Sequence, residues 1–330
     1  MFFSIIIPTY NPRKYLHAML ESITHNKCAN ELEVIISDDC STEQFDDILN
    51  SFDLNIKKIT NKKHTGFPRT GRQNGVEIAQ GEWITFADQD DYYLDGCFDL
   101  VKEYITQHNI KYYIGFPIIK ESTITGQTII ESASYAWTHG KFTNRILWDK
   151  YGLKYDAVDY CEDSNIVTKI NCLLFSMDEE IIYAEDPVYV WCAREESLSN
   201  RNNAEYFIKS MPDYIKGTLK VVLSYLKKKS NTPKQSEQYR LSFMFTLYHI
   251  FFYLQAHHMY NYKKEMINTI SYMIPIVEEF KELMNYTTED IIMLTNTEYL
   301  HNYNAARTSD CNEVPFIEQM SFKDWMNLYF

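Results

Sequence analysis

An apolar run ends in an acidic cluster at Trp83-Ile84-Thr85-Phe86-Ala87-Asp88-Gln89-Asp90-Asp91. The apolar part, residues 83–87, has the length and composition of a buried strand. The three carboxylates that follow repel one another, a cost that is explained if a hard divalent cation lies among them. We therefore predict that Mg²⁺ or Mn²⁺ binds here and bridges the carboxylates to the oxygens of a diphosphate. The alternative is a solvated acidic turn that caps a helix near residues 96–104.

Strand and helix patterns alternate on the amino-terminal side of this stretch. Short apolar or β-branched runs predict strands at residues 3–7, 33–37, 56–59 and 83–87. Apolar side chains at helical spacing predict helices at residues 13–24, 43–52 and 72–79. Strands that alternate with helices are typical of a doubly wound, mostly parallel sheet, so we predict an α/β fold.

Polar clusters follow three of the predicted strands. They are Pro8-Thr9-Tyr10-Asn11, Asp38-Asp39-Cys40-Ser41 and Asp88-Gln89-Asp90-Asp91. Ligands of such sheets bind in the crevice beyond the carboxyl ends of the strands, so we expect the three clusters to line one site. Taken alone, Asp38 and Asp39 are explained equally well as an N-cap pair for the helix that begins near Glu43.

The remaining chain divides into two regions. Residues 111–190 mix strands with short helices and are often interrupted by proline or glycine, and here we expect an acceptor site. After Asn200 the pattern is helical, with a polar break at residues 227–234 that predicts an interhelical loop. We predict one domain at residues 1–200 and a helical region at residues 201–330. The helical region has an open role in acceptor binding, homo-oligomer formation or contact with a membrane surface.

Two apolar stretches require a decision about membranes. The run at residues 1–7 follows no basic segment and is cut short by Pro8 and Pro12, which predicts a buried strand rather than a signal peptide. Residues 241–254 are fewer than the ~20 that a transmembrane helix requires. They predict a core or interface helix, with peripheral membrane contact as the alternative.

Charge, cysteines and absent motifs narrow the functional class. The chain has 45 acidic and 32 basic residues, a formal net charge of -13, which disfavours a nucleic acid partner. Its seven cysteines are odd in number and never spaced as CxxC, so we predict neither a disulfide framework nor a zinc site, and a cytoplasmic location. Neither GxGxxG, nor a P-loop, nor a GxSxG elbow is found in the sequence.

The order of these motifs resembles that of the GT-A-fold glycosyltransferases of family 2. Three family signatures are matched in order by Ile7-Pro8-Thr9-Tyr10-Asn11, by Ser37-Asp38-Asp39-Cys40-Ser41, and by Gly71-Arg72-Gln73-Asn74-Gly75 with the cluster at residues 88–91. They span roughly the first hundred residues, and their ordered combination is highly specific. The sequence departs from the family at Cys40, where glycine is usual, at Gln73, where asparagine is usual, and at Gly71, where alanine is usual.

The resemblance implies a binding site for a UDP-sugar. Pro8, Thr9 and Tyr10 are expected to line the base pocket. Asp39 is expected to contact the uracil, and Asp38 to support its loop.

The resemblance also implies how the acidic cluster divides its roles. Asp90 is expected to be the direct metal ligand, with Asp88 facing the ribose and the metal. Gln89 belongs to the same nucleotide-binding turn, which Asp91 supports. Two arginines are expected to hold the donor: Arg72, and Arg194 at the diphosphate.

A second carboxylate centre follows from the resemblance further along the chain. After Trp137-Thr138-His139-Gly140-Lys141, which looks like the family's Trp-x-x-Gly-Lys stretch, comes Cys161-Glu162-Asp163-Ser164. The latter is similar to the Glu-Asp motif that supplies the catalytic base of inverting members, which implies that Asp163, beside Glu162, is the base. The alternative is that Glu162 or Asp163 caps the helix that follows.

The expected function is that of an inverting glycosyltransferase. It would transfer a hexosyl or N-acetylhexosaminyl group from a UDP-sugar to a hydroxyl of a glycan or lipid-linked glycan, in synthesis of a bacterial surface polysaccharide or teichoic acid. The location would be cytoplasmic, at the inner face of the membrane if the chain binds lipid-linked acceptors. The alternatives are an inactive nucleotide-binding or scaffolding homologue and a nucleotidyltransferase, for which Asn11-Pro12-Arg13-Lys14 is a poor match to the usual glycine-rich basic loop.

Overall fold

A computed structural model describes residues 1–133, 137–194, 204–256, 263–290 and 322–330. The chain forms two compact units. The first contains residues 1–159 and 180–201, and the second contains residues 160–179 and 202–330.

The first unit contains two sheets and short helices. The strands are β1 (Phe3–Thr9), β2 (Leu32–Asp38), β3 (Ile56–Thr60), β4 (Trp83–Phe86), β5 (Tyr92–Tyr93), β6 (Tyr113–Gly115), β7 (Ile118–Ser122), β8 (Thr128–Glu131), β9 (Lys141–Asn144), β10 (Ile182–Tyr183) and β11 (Tyr189–Ala193). The helices are α1 (Leu16–Thr24), α2 (Asp46–Leu49), α3 (Pro68–Ile78), α4 (Cys97–Gln107) and α5 (Ile146–Asp149), with a short 3-10 helix at Ala29–Glu31.

The larger sheet is mostly parallel, as predicted. Among the described residues its order is β10-β6-β9-β4-β1-β2-β3. Strands β4, β1, β2 and β3 run parallel to one another, while β9 pairs antiparallel with β4 and β6. The side chains of β2 are buried on both faces, because the crossover helices of a parallel sheet cover it from both sides.

A smaller sheet adjoins the same unit. Its order is β5-β11-β7-β8, in which β11 and β7 are parallel and the outer pairs are antiparallel. Strand β5 directly follows the acidic cluster, and its partner β11 directly precedes Arg194. This pairing brings a late segment of the chain back to the cluster.

Helix α3 packs closely on β1. A Cβ at Gly75 would lie 2.4 Å from Cγ2 of Ile6, so glycine is required for this approach. The helix begins at Pro68, four residues before its predicted start, because proline fits the first turn of a helix without losing a hydrogen bond.

The predicted helix at residues 43–52 is wrong in extent. The observed helix α2 is a single turn, Asp46–Leu49. The residues after it, Asn50, Ser51 and Asp53, favour turns over helix interiors, since their side chains compete for backbone hydrogen bonds.

The second unit is helical and has its own core. Its helices are α6 (Glu162–Ser176), α7 (Ala204–Gly217), α8 (Leu219–Leu226), α9 (Pro233–Ala256), α10 (Lys263–Met284) and α11 (Phe322–Tyr329). The predicted interhelical loop at residues 227–234 corresponds to the connection between α8 and α9. None of the described helices is both long and apolar enough to cross a bilayer.

Helix α6 precedes the predicted domain boundary at residue 200 but belongs to the second unit. Two contacts explain this. Cys172 is fully buried in the helical core, and Nδ2 of Asn165 donates to the carbonyl oxygen of Gly217 at 3.1 Å. Helix α6 therefore lies in the sequence between two segments of the first unit but packs with the helices of the second unit.

Candidate functional site

The three polar clusters lie at one edge of the larger sheet, as predicted. The last pairs of the parallel register are Thr9 with Asp38 and Asp38 with Thr60. Strand β4 ends beside them, since the backbone N–H of Ala87 donates to the carbonyl oxygen of Ile6 at 3.1 Å. The carboxyl ends of β1, β2, β3 and β4 thus form the floor of one site.

The side chain of Gln89 joins two of the clusters. Its Nε2 donates to the carbonyl oxygen of Tyr10 at 3.1 Å, and its Oε1 accepts from the N–H of Tyr10 at 2.8 Å. Both ends of the amide are therefore used to hold the Tyr10 backbone, which fixes the loop after β1 against the acidic turn.

Asp88 lies between two basic side chains. Its Oδ1 accepts from Nη2 of Arg72 at 2.9 Å, and its Oδ2 lies 3.2 Å from Nε2 of His139. Burial by itself raises the pKa of Asp88, but His139 and Arg72 outweigh burial and hold this pKa well below its ordinary value. The charged form of Asp88 is therefore favoured.

Asp91 is buried and faces the second sheet. Its Oδ2 accepts from the hydroxyl of Tyr189 at 2.7 Å, and its Oδ1 accepts from the N–H of Cys192 at 2.9 Å. Burial, reinforced by the charge of Asp88, raises the pKa of Asp91 above its ordinary value. The same Tyr189 hydroxyl accepts from the N–H of Asp88 at 3.0 Å, so one hydroxyl holds both ends of the turn.

Asp90 is paired with Arg194. The Oδ2 of Asp90 accepts from Nη1 of Arg194 at 2.9 Å, and the guanidinium lies 4.3 Å from the centre of the Tyr15 ring. Burial and the neighbouring Asp88 raise the pKa of Asp90, an effect that Arg194 opposes. The predicted metal ligand and the predicted diphosphate contact are thus in contact with each other.

The cluster fits a divalent cation. Asp88, Asp91 and His139 each offer a ligand atom, and these atoms lie within 4.8 Å of one another. Two carboxylates with one imidazole suit Mn²⁺ better than Mg²⁺, which prefers oxygen ligands alone. Asp88 belongs to this group and to the predicted pair of ligands, whereas Asp90 belongs only to the predicted pair.

Asp39 holds a loop rather than facing solvent. It is 8% exposed, and its oxygens accept from Nδ2 of Asn61 at 2.7 Å and from the N–H groups of Thr65 and Gly66 at 2.9 and 2.8 Å. Burial by itself raises the pKa of Asp39, but these hydrogen bonds lower it below its ordinary value. Asp39 is therefore an ionised carboxylate whose partners come from the loop after β3.

Asp38 and Cys40 shape the turn after β2. Oδ1 of Asp38 accepts from the N–H and the hydroxyl of Ser41 at 3.0 and 2.6 Å. Cys40 has a φ of 64°, in the left-handed region that favours glycine. Glycine, the usual residue of the family at this position, adopts this conformation without strain.

The other two departures also have structural explanations. A Cβ at Gly71 would lie 3.0 Å from Cβ of Pro8 and 3.2 Å from Oγ of Ser37, so glycine is favoured there. Oε1 of Gln73 accepts from the N–H of Tyr155 at 3.1 Å. In the first unit this amide therefore holds the chain after α5.

Of the other residues expected to line the pocket for the nucleotide base, Thr9 is buried and Tyr10 is 41% exposed.

Glu162 and Asp163 lie in the first turn of α6, in the second unit. The residue at the N-cap is Cys161, with a φ of 54°, so neither acid occupies the capping position that the alternative interpretation gives them. Acidic side chains in a first turn still interact favourably with the helix dipole. The catalytic role of Asp163 remains a prediction.

The sequence interpretation missed His139, Tyr189, Asn61 and Thr65. One of them, His139, stands inside the stretch at residues 137–141 that the family resemblance marks, and Tyr189 stands at the start of β11. The contacts of His139 and Tyr189 with the acidic cluster depend on β9 and β11 returning to it from later in the chain, which sequence spacing does not specify.

Comparisons with known proteins show what this chain resembles. A family model described as Glycosyl transferase family 2 matches residues 4–161. The poly(ribitol-phosphate) beta-N-acetylglucosaminyltransferase TarS of Staphylococcus aureus is 34% identical over 112 residues, 33% of this chain and 20% of that protein. The GalNAc(5)-diNAcBac-PP-undecaprenol beta-1,3-glucosyltransferase of Campylobacter jejuni is 32% identical over 103 residues, 30% of this chain and 33% of that enzyme. The matches thus span a third or less of the length of these relatives.

The fold has a solved counterpart. The crystal structure of Staphylococcus aureus TarS 1-349 in complex with UDP-GlcNAc has a TM-score of 0.69 and 18% sequence identity, and the match covers 94% of this chain and 89% of that one. Residues 4–161 thus match glycosyl transferase family 2, and the chain has the GT-A fold with a helical carboxyl-terminal part.

Proposed function

We propose that the protein is an inverting glycosyltransferase that moves a sugar from a UDP-sugar to a hydroxyl acceptor. The observation that carries this proposal is the acidic turn at residues 88–91, which is bound to the Tyr10 loop through Gln89 and to two basic side chains through Asp88. A charged carboxylate, a fit for a divalent cation and an adjoining aromatic loop are what a nucleoside diphosphate requires.

Residues of the first unit would stabilise the leaving diphosphate. A divalent cation held by Asp88 and Asp90, with Asp91 and His139 nearby, supplies charge neutralisation for the departing diphosphate when bound. Arg194 would exchange its bond to Asp90 for a bond to a diphosphate oxygen, because a guanidinium forms strong hydrogen bonds with both carboxylates and phosphates. Arg72 keeps Asp88 charged and oriented throughout.

Asp163 would act as the base on the attacking hydroxyl. Its carboxylate, beside Glu162, would remove the hydroxyl proton as the acceptor oxygen attacks the anomeric carbon. The oxygen attacks from the face opposite the UDP leaving group, so the configuration at the anomeric carbon inverts. Two separate carboxylate centres are needed, because the base acts on the nucleophile and the cation acts on the leaving group.

The relatives suggest the substrate class. One transfers N-acetylglucosamine to poly(ribitol-phosphate), another transfers glucose to a lipid-linked glycan, and the solved counterpart binds UDP-GlcNAc. We infer a hexosyl or N-acetylhexosaminyl donor and an acceptor that is a bacterial surface glycan, teichoic acid or lipid-linked glycan. Action at the inner face of the membrane, peripheral membrane contact and a homo-oligomer are parts of the same proposal.

UDP release from a panel of UDP-sugars tests the proposal. We expect release in the presence of Mn²⁺, its loss with EDTA, and a fall of at least about a hundredfold in Asp90→Ala and Asp163→Ala. Two exposed aspartates provide controls, Asp47→Ala in the first unit and Asp178→Ala in the second, and both should keep full activity. Release that survives in both active-site variants would contradict the proposal. Nucleotide binding without any release would favour an inactive nucleotide-binding homologue.

A further inference from the structure

The helical unit concentrates positive charge around the connection between α8 and α9. Residues 216–234, here called the basic segment, contain six lysines and no acidic residue, in a chain with a formal net charge of -13. All six side chains are exposed: Lys216, Lys220, Lys227, Lys228, Lys229 and Lys234. The glycosyl transfer proposed above gives these lysines no role.

Helix α8 carries its lysines on one face. The exposed positions are Lys220 and Ser224, and the chain continues into the exposed Lys227 and Lys228. Residues three or four positions apart are neighbours on a helix surface, so these side chains lie on the same side of α8. The rest of the helix is buried in the core of its unit, through Leu219, Val221, Val222, Leu223 and Leu226. The lysines therefore project from the core into solvent.

Side-chain hydrogen bonds fix the loop that carries the other lysines. Nδ2 of Asn231 donates to the carbonyl oxygens of Tyr225 and Leu226, at 2.9 and 3.2 Å, and so satisfies the carboxyl end of α8. At the start of α9, Oε1 of Gln235 accepts from the N–H of Thr232 at 2.9 Å, and the Thr232 hydroxyl accepts from the N–H of Gln235 at 3.2 Å. Because the loop is bound at both ends, its lysines extend from a fixed backbone.

Half of the six lysines have carboxylate partners. The pairs are Lys216 with Asp213, Lys234 with Asp178, and Lys227 with Glu279. The other three, Lys220, Lys228 and Lys229, form no ion pair with a residue that the structure describes. Their charges are therefore available to an external anion.

Two of the unpaired lysines lie against tyrosines. Nζ of Lys220 lies 5.2 Å from the centre of the Tyr272 ring, and Nζ of Lys228 lies 3.7 Å from the centre of the Tyr225 ring. Tyrosine is enriched at the interface between membrane and water, where lysine ammonium groups also meet lipid headgroups. The composition of the basic segment and its surroundings is therefore typical of a surface that meets lipid.

The size of the attraction decides whether such a contact is effective. A lysine near an anionic membrane surface strengthens binding by about fivefold, so three unpaired lysines strengthen it by about a hundredfold. Acidic residues elsewhere oppose this weakly, because charges more than about 10 Å apart are screened at about 0.1 M salt. The net charge of the chain therefore does not prevent contact through the basic segment.

We propose that the basic segment docks the helical unit onto an anionic lipid surface, with Lys220, Lys228 and Lys229 supplying the attraction. The inference rests on the proposed function for the presence of a membrane, and it deepens that function by assigning the contact to one surface. An exposed helix face with its adjoining loop suits a planar surface, which all of the lysines can meet together. None of the described helices crosses a bilayer, so the contact is electrostatic.

Cosedimentation with lipid vesicles tests the inference. We would compare vesicles of phosphatidylcholine alone with vesicles that contain about one third phosphatidylglycerol, at about 0.1 M salt. The unchanged protein should bind the anionic vesicles about a hundredfold more strongly, and about 0.5 M salt should remove most of this preference. The preference should fall at least about tenfold in a variant that combines Lys220→Gln, Lys228→Gln and Lys229→Gln.

A second triple variant controls for net charge. It combines Lys27→Gln, Lys150→Gln and Lys323→Gln, three exposed lysines outside the basic segment, and should keep the preference of the unchanged protein. Lys229→Gln alone should lose about fivefold, and it decides the matter if the basic-segment variant does not fold. Equal losses in the two triple variants, or no preference of the unchanged protein for anionic vesicles, would overturn the inference.

Two further measurements separate this inference from its neighbours. Inorganic polyphosphate that binds the unchanged protein but not the basic-segment variant, with no binding of vesicles, would assign the segment to a soluble polyanion and overturn lipid docking. UDP release from UDP-sugars is measured on the same preparations. Release without any vesicle preference would overturn lipid docking alone, whereas a vesicle preference without release would overturn the proposed function and leave the docking surface standing.

Discussion

At the scale of single residues, the hydroxyl of Tyr189 organises the acidic turn. It donates to Asp91 and accepts from the backbone of Asp88, and its ring stacks on His139 with centres 5.0 Å apart. Groups that orient metal ligands commonly change metal affinity by about ten- to a hundredfold when they are removed. Tyr189 is therefore a positioning residue for the candidate cation site.

Tyr189→Phe tests this role. The change keeps the ring but leaves buried Asp91 with one donor fewer, so we expect the free energy of unfolding to fall by about 1–3 kcal/mol and Mn²⁺ affinity to fall about tenfold. Chemical denaturation and a Mn²⁺ titration measure the two effects. The control is Tyr113→Phe, a buried tyrosine whose hydroxyl has no hydrogen-bond partner among the described residues. Equal effects in the two variants would show that Tyr189 only fills space.

Sequence reasoning placed the acidic residues better than it placed their partners. The strand-end positions of Asp38, Asp39 and Asp88 follow from local patterns, because strand polarity alone determines where a strand ends. The contacts of Asp88 with His139 and of Asp90 with Arg194 could not be predicted. They depend on β9 and β11 returning to the cluster from far along the chain.

At the scale of elements, Glu33 ties the amino-terminal ends of the strands together. This residue of β2 is fully buried, and its carboxylate accepts from the hydroxyl of Ser4, the ammonium of Lys57 and the N–H of Gly81. Burial by itself raises the pKa of Glu33, but these hydrogen bonds lower it below its ordinary value. One charge thus joins β1, β2, β3 and the turn before β4.

The effect of Glu33→Gln should depend on pH. Because the pKa of Glu33 is lower in the folded state, its charged form stabilises the folded protein. This stabilisation is complete above the unfolded-state pKa of about 4.3, and it is lost as pH falls through the folded-state pKa. We expect the variant to be less stable by about 1–3 kcal/mol at pH 7, with the difference shrinking below about pH 4. Urea denaturation from pH 7 to pH 3 measures it. The exposed Glu103→Gln on α4 should have little effect, and a Glu33→Gln difference that grows towards low pH would refute the assignment.

The close approach of α3 to β1 makes a second prediction at this scale. Gly75→Ala forces a methyl group against Ile6, so we expect a loss of about 1–3 kcal/mol in the free energy of unfolding. Replacing Ile6 by alanine in the same chain should recover part of the loss caused by the new methyl group. Thermal denaturation checks this, with the exposed Glu77→Ala of the same helix as control. A Gly75→Ala variant as stable as the unchanged protein would contradict the packing described.

Elements were predicted with unequal success, for physical reasons. The strands were located well because buried β-branched runs are locally distinctive. The length of helix α2 was overestimated. The spacing of the buried residues Phe45 and Leu49 is typical of a helix, but only one helical turn forms there. Helix α6 was found, but its membership of the second unit was not, since only tertiary contacts decide it.

At the scale of the whole molecule, fold and function follow from different parts of the sequence. The parallel sheet and the helical region could be predicted from periodicity. The roles of the helical region could not, because function depends on sites rather than on the fold. The central claim is a division of labour, with the donor bound through Asp90 and the acid–base chemistry performed by Asp163.

Binding and turnover measured on the same variants test that division most directly. UDP affinity in the presence of Mn²⁺ and UDP release from a UDP-sugar would be determined for the unchanged protein, Asp90→Asn and Asp163→Asn. We expect Asp163→Asn to bind UDP within about twofold of the unchanged protein while release falls at least about a hundredfold, and Asp90→Asn to lose the Mn²⁺-dependent part of UDP affinity. Release by Asp163→Asn at the unchanged rate, or Mn²⁺-dependent affinity that survives in Asp90→Asn, would contradict the account.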